Sequence, residues 1–278
     1  MSKMAQAVRE EVIAAIREDS LQLPTLPEVA LQVREAAEQE EISAAQLAGV
    51  INCDPGLSLR VIKVANSPLY RGTRTIETVV SAVSRLGIKQ SSSLVTGFAM
   101  QQMFQATNDV IDRKMRAVWA QATEIAAMCG VLARNFTRLK IDQALLAGLT
   151  HNIGALPVLT FAEDHDGFIN DSFTLDAVIE ELHGELGALI LHNWKFSEDL
   201  AAVPETYTQY DYGSHPTNYI DVVMVAHLQR YAGTNHPCTK LDWSRIQAFH
   251  NLGLDPGVEV TQMEGVSEEI EDAMQALV

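Results

Sequence analysis

Apolar residues recur every three or four positions along most of the chain, which is the spacing of amphipathic helices. The first clear apolar face consists of Leu26, Val29, Ala30, Val33 and Ala37. Thr25 and Glu28 have the spacing of a capping box, so we expect this helix to begin at Thr25. Sustained alternation of apolar and polar residues, the pattern typical of strands, does not occur in the sequence. The pattern therefore predicts an all-α protein.

Helix-start signals recur at short intervals after this first face. Ser43 and Gln46 again have the spacing of a capping box, and Asp54 followed by Pro55 supplies a cap and a first-turn proline. Thr75 is expected to open a further helix, which Gly87 ends. Further helices are predicted over 90–105, 142–162, 174–193, 197–203, 219–232 and 243–252, together with a long one that follows residues 107–109.

The turn-rich residues 107–109 are the best internal boundary, because a long uninterrupted helical pattern begins directly after them. We therefore expect an N-terminal helix over 1–20, an N-terminal helical half over 21–107, a second helical half over 108–235 and a C-terminal helical extension over 236–278. The longest apolar stretch, 144–162, contains His151, Asn152 and Pro157, which favours a buried core helix over a membrane span.

Composition and charge narrow the class of partner. The chain has 278 residues, 47% of them hydrophobic, with a formal net charge of -16 and three dispersed cysteines. The strong negative charge disfavours binding to nucleic acid or anionic membrane, because proteins bind both through Lys and Arg. The cysteines fit a reducing compartment, and the first residues lack the apolar core of a signal peptide. A cytoplasmic location is therefore expected.

Four short motifs carry a resemblance to a known family. They read Leu23-Pro24-Thr25-Leu26-Pro27, Asp54-Pro55-Gly56-Leu57-Ser58, Ala65-Asn66-Ser67 and Arg85-Leu86-Gly87. In this order and spacing, from about 21 to 208, the chain resembles the HDOD domain, the HD-related output domain of bacterial signalling proteins. The resemblance implies an N-terminal helical bundle packed on a bundle related to HD phosphohydrolases. It also implies a regulatory role beside another signalling protein, whose identity the sequence does not reveal.

The metal ligands of an HD phosphohydrolase can be sought at four positions of this chain. Gln121 stands where the first histidine is expected, and His151-Asn152 stands in place of the His-Asp pair. His227 is the polar residue closest to the position of the final aspartate. If the alignment of Gln121 and His227 is shifted by one turn, Glu124 or Asp221 is the nearest acidic substitute. An amide in place of a carboxylate removes a negative charge and a strong oxygen ligand. The resemblance therefore implies a vestigial site, with no catalytic residue, metal or cofactor.

Other roles remain open for some of these residues. His151, His183 and His227 could meet in an unusual imidazole site for Zn or Ni, although three histidines on separate helices rarely converge by chance. The ordinary expectations are a core His151 bonded to a backbone carbonyl and a His183 in close helix packing. Asn66 and Ser67 could cap a helix or contact a partner. The alternatives to a noncatalytic regulator are thus a metal-dependent phosphohydrolase with an atypical histidine-rich site and a small-ligand or nucleotide sensor.

Overall fold

The computed structural model describes residues 3–18, 21–70, 72–165, 172–213 and 215–277. Every regular element within these ranges is helical, which confirms the predicted all-α class. The first part of the chain contains α1 Lys3–Arg17, α2 Glu28–Ala37, α3 Ala44–Ile51, α4 Pro55–Asn66, α5 Val79–Leu86, α6 Ile88–Ala99 and a 3-10 turn Met100–Met103. The second part contains α7 Asp109–Phe136, α8 Ile141–Thr150, α9 Ala155–Glu163, α10 Ser172–Asn193, α11 Glu198–Ala201, α12 Val203–Thr206, α13 Tyr219–Arg230, α14 Gln247–Leu252 and α15 Val266–Leu277.

Two of the predicted helix starts are confirmed in atomic detail. The Ser43 hydroxyl accepts a hydrogen bond from the Gln46 amide at 3.2 Å, and the Ser43 amide donates to the Gln46 side chain at 2.9 Å. Asp54 accepts from the Leu57 amide at 3.0 Å, and Pro55 is the first residue of α4. Each of these side chains satisfies a backbone donor that the first helical turn leaves unpaired.

Two other predicted starts are wrong by three or four residues. The helix expected from Thr25 begins at Glu28, and Pro27 occupies the N-cap position without a side-chain bond. The ring of a proline disfavours the helical conformation at the residue before it. Leu26 precedes Pro27 and is therefore excluded from the first turn. The helix expected from Thr75 begins at Val79, because Thr78 is the residue whose hydroxyl caps it.

The single helix predicted over 142–162 is also wrong, since α8 and α9 are separated by a turn at 151–154. The turn lies directly against the backbone of α10. A Cβ atom placed on Gly154 would lie 2.1 Å from the His183 carbonyl oxygen and 2.5 Å from the Gly187 nitrogen. Such an approach is open only to glycine, and it brings the turn into contact with a helix that is distant in sequence.

The segment Ile141–Glu163 is long and apolar enough to match a membrane span by length and composition. Within the fold, 94% of its most apolar window is buried against other helices. This burial agrees with the predicted core segment.

The core extends continuously from Val8 on α1 to Leu277 on α15. The long helix α7 packs against α8, α9, α13 and α15, while α2 packs on α6 and α6 packs on α8. The two predicted halves therefore share one connected core through α6 and α8. The division of the chain at 107–109 falls in the loop before α7 and stays a prediction.

Candidate functional site

Three histidines converge on one tyrosine in the second half of the chain. His151 lies in the turn after α8, His183 on α10 and His227 on α13, and Tyr207 directly follows α12. The Tyr207 ring makes edge contacts with all three imidazoles, at centroid distances of 5.1 Å to His151, 5.6 Å to His183 and 5.1 Å to His227. The convergence that the sequence made improbable therefore occurs. Tyr207 belongs to no motif, so sequence reasoning missed the residue at the centre of this cluster.

His151 is fully buried and bonded to a backbone carbonyl, as predicted. Its Nδ1 lies 2.6 Å from the Gly148 carbonyl oxygen. Since a carbonyl only accepts, Nδ1 carries the hydrogen and Nε2 carries a lone pair. That Nε2 has no hydrogen-bond partner among the described residues. Burial lowers the pKa of His151 to about 4, because the charged imidazolium is poorly solvated there.

His183 lies in close helix packing and also belongs to the histidine cluster, where its Nε2 is bonded to Tyr207. Its Nδ1 lies 2.9 Å from the Ile179 carbonyl and 3.0 Å from that of Glu180, so its Nε2 is the acceptor for the Tyr207 hydroxyl at 2.9 Å. The same helix face packs tightly: a Cβ on Gly187 would lie 2.7 Å from the Pro204 side chain. The predicted close helix packing is therefore present at Gly184 and Gly187, and it places His183 within the cluster.

His227 and Asn152 each hold a buried polar atom without a partner among the described residues: His227 Nδ1 and Asn152 Oδ1. Burial, together with the charges that His151 and His183 would carry, lowers the pKa of His227 to about 3. Asn152 Nδ2 donates to the Val118 carbonyl on α7 at 3.2 Å. Asn152 thus ties the turn at 151–154 to the long central helix.

The acidic residues considered as substitute ligands have other partners. Glu124 accepts a 2.7 Å ion-pair hydrogen bond from Arg230. Asp221 forms a capping box at the start of α13 with Asn218, and it also accepts from Asn251. Asp221 precedes His227 by six residues, or about 9 Å along the helix. Neither carboxylate is therefore available to the imidazole cluster.

Gln121 lies on α7, one turn after Val118 and one turn before Glu124. It is partly buried. Val118 contacts Asn152, and Glu124 contacts Arg230. Gln121 lies between them, on the stretch of α7 that faces the turn at 151–154 and α13. The four proposed HD-site positions are thus carried by α7, by the turn after α8 and by α13, which pack together.

The donor atoms of this cluster do not fit a divalent metal. Two imidazole nitrogens and one amide oxygen lack partners in the ranges that the structure describes, while His183 Nε2 is used by Tyr207. Across the residues that the structure describes, no three His, Cys, Asp or Glu side chains are arranged to hold an ion. A site that activates water requires more ligands and an open coordination position.

The Ala65-Asn66-Ser67 motif joins the end of α4 to the start of the next helix. Asn66 Oδ1 accepts from the Ile76 amide and Asn66 Nδ2 donates to the Ile76 carbonyl, both at 2.8 Å. Ser67 donates to the Val64 carbonyl at 2.8 Å, and Arg85 Nη1 donates to the Ala65 carbonyl at 3.0 Å. The Ala65-Asn66-Ser67 motif and the Arg85 side chain of the Arg85-Leu86-Gly87 motif therefore both stabilise the connection from α4 to α5. Asn66 and Ser67 thus have structural roles.

Known proteins share this fold over its full length. A candidate metal-dependent phosphohydrolase of Shewanella amazonensis SB2B is 29% identical, with a TM-score of 0.90 and coverage of 100% of both chains. An HDOD domain protein of unknown function from Geobacter sulfurreducens is 19% identical, with a TM-score of 0.64 and coverage of 98% of this chain and 97% of that one.

Among curated sequences, an uncharacterized protein of Treponema pallidum (strain Nichols) is 24% identical over 226 residues. The match spans 73% of this chain and only 42% of the Treponema protein. The sequence profile described as the HDOD domain matches residues 23–210, which is well over half of the chain. This chain belongs to the HDOD domain family.

Proposed function

We propose that this chain is a noncatalytic signal-transduction domain that acts through contacts with another signalling protein. Its vestigial HD site then serves as a structural core. The observation that carries the proposal is the His151-Asn152 pair: an amide stands at the carboxylate position, and its buried oxygen has no partner within the described part of the chain. An amide oxygen carries no net charge, so it binds a divalent cation more weakly than a carboxylate does.

The surroundings of this pair support a structural role. His151 is 0% exposed, and Asn152, His183 and His227 are each 7% exposed. A phosphate ester in solution therefore cannot reach the imidazoles in this conformation. Tyr207 fills the space between the three rings and uses the His183 lone pair. The cluster joins α8, α10, α12 and α13, as expected of a polar core that specifies helix positions.

A metal-dependent phosphohydrolase with an atypical histidine-rich site is the second candidate. It is favoured by the similarity to the Shewanella protein and by the two unpartnered imidazole nitrogens, His151 Nε2 and His227 Nδ1. Against it, the Tyr207 ring already packs edge-on against both histidines, and Asn152 stands at the carboxylate position of the HD pair. These two features make the hydrolase the weaker of the two candidates.

Metal content separates the two candidates directly. We expect the chain, purified without chelator, to contain far less than one equivalent of Zn, Ni, Mn or Fe by elemental analysis. His151→Ala serves as the matched variant, because it removes the one residue that agrees with the HD pattern. One equivalent of metal in the parent that disappears in His151→Ala would contradict the noncatalytic proposal.

A further inference from the structure

A second region of interest is a small cavity away from the histidine cluster. Its volume is about 200 Å³, and it lies between α2, α6, α8, the connection 195–197 that joins α10 to α11, and Leu200 on α11. The volume equals that of about seven waters in the liquid. This volume accommodates a small oxyanion.

The charge of the cavity wall is opposite to that of the protein. Two cationic residues, Arg34 and Lys195, line it together with Ser92, Thr96 and Gln143, and none of the described residues that line it is acidic. The chain as a whole has a formal net charge of -16. A locally cationic, hydroxyl-rich cavity in such a protein favours an anion. Asp142 does not line the cavity, and its Oδ2 accepts from Gln143 Nε2 at 2.9 Å.

Thr96 supplies an independent indication of a ligand. Its side chain is 1% exposed, and its hydroxyl has no hydrogen-bond partner among the described residues. An unpaired buried hydroxyl is costly and uncommon in folded proteins. Ser92 lies one helical turn before Thr96 on α6 and is also buried, so the two residues face the cavity from the same side.

Arg34 is held in place by contacts that leave part of its guanidinium free. Nη1 donates to the Trp194 carbonyl at 2.8 Å and Nη2 to the Lys195 carbonyl at 3.3 Å, and the group stacks over the Phe196 ring at 4.8 Å. A guanidinium has five N–H donors, so donors remain for a ligand. Burial lowers the pKa of Arg34, which Glu38 partly opposes, and an anion would offset that desolvation.

From these observations we propose that the cavity binds a small oxyanion of the phosphate or carboxylate class. The anion accepts hydrogen bonds from Arg34, Lys195 and the Thr96 hydroxyl. Because Arg34 lies on α2 and Lys195 follows α10, the bound anion bridges the N-terminal helices to the second half of the chain. Binding there would stabilise the packing of the two parts and provides a route for a small molecule to influence the domain.

Calorimetric titration with inorganic phosphate and, separately, with malonate tests this proposal at constant ionic strength. We expect saturable binding of at least one of the two probes. Thr96→Val removes only the hydroxyl and Lys195→Gln only the charge, and each should weaken binding about tenfold. Lys63→Gln removes the same charge from an exposed position of α4, which does not line the cavity, and should bind as the parent does.

Two results would overturn the oxyanion site. One is the absence of saturable binding for both probes at concentrations up to about 10 mM, where even weak sites of millimolar affinity fill. The other is equal affinity in the parent, Thr96→Val and Lys195→Gln. Circular dichroism of each variant confirms that it is folded. Thr96→Val is expected to fold, because the hydroxyl it removes makes no hydrogen bond in the described structure.

Discussion

Replacing Asn66 by alanine tests whether this motif residue holds the chain together or meets a partner. The side chain makes two hydrogen bonds to Ile76, one to its amide and one to its carbonyl, each 2.8 Å long. A hydrogen bond of this kind contributes about 0.5–1.5 kcal/mol net, and an unpaired backbone group adds a further cost. Ile76 is only partly buried, so water can replace some of the loss. We therefore expect Asn66→Ala to lower the free energy of unfolding by about 2 kcal/mol.

The assay is equilibrium unfolding in urea, followed by thermal unfolding. A loss of this size should lower Tm by roughly 3–4 °C for a chain of 278 residues. Faster proteolysis within 67–78 should accompany it, because Asn66 is the contact that fixes this connection to the end of α4. Ser84→Ala is a suitable control: its hydroxyl bonds only to the Val80 carbonyl of its own exposed helix face. It should shift stability by less than about 0.5 kcal/mol.

The reasoning fails if Asn66→Ala unfolds at the same urea midpoint and temperature as the parent. If a protein co-purifies with the parent but not with this stable variant, Asn66 acts at an interface. Unfolding at lower denaturant with the co-purified protein retained is the outcome that the structural role predicts.

Two further predictions concern the histidine cluster. The folded pKa of His151, about 4, lies below the ordinary value of 6.5, so its stabilising effect is complete above pH 6.5 and is lost as pH falls towards 4. The parent loses unfolding free energy as pH falls through this window, and His151→Gln lacks the group responsible. The slope of unfolding free energy against pH should therefore be smaller in His151→Gln by about 1.4 kcal/mol per pH unit. An unchanged slope would refute the buried neutral imidazole. Gly154→Ala should destabilise the protein by about 1–3 kcal/mol or more, because its Cβ would lie 2.1 Å from the His183 carbonyl oxygen. Gly49→Ala is the control, because no atom lies within 4 Å of the Cβ it adds. Equal denaturation midpoints for the two variants would argue against the tight turn.

Local signals in the sequence predicted local structure where no distant contact competed with them. The Ser43 capping box and the Asp54-Pro55 start are complete within four residues, so the sequence contains all of their partners. The start expected at Thr25 failed because proline at position 27 excludes the preceding residue from the helix. At Thr75 a better-placed capping residue, Thr78, lies three positions further on.

Long-range packing explains what the sequence could not predict. The break at 151–154 depends on the backbone of α10, which comes within van der Waals reach of Gly154. The convergence of three histidines on Tyr207 likewise depends on the packing of α8, α10, α12 and α13. Periodicity describes one helix face at a time and contains no information about which faces meet. The motifs predicted the family, and only the coordinates show the cluster.

The most direct test of the noncatalytic account is a turnover assay with added metal. Phosphomonoesters, nucleotides and cyclic dinucleotides would each be incubated with the purified chain and excess Mn²⁺, Zn²⁺ or Ni²⁺, with His151→Ala as the matched control. We predict that phosphate release or bond cleavage stays at the level of metal and buffer alone, in both the parent and the variant. Turnover by the parent that disappears in His151→Ala would contradict the account and establish an active hydrolase.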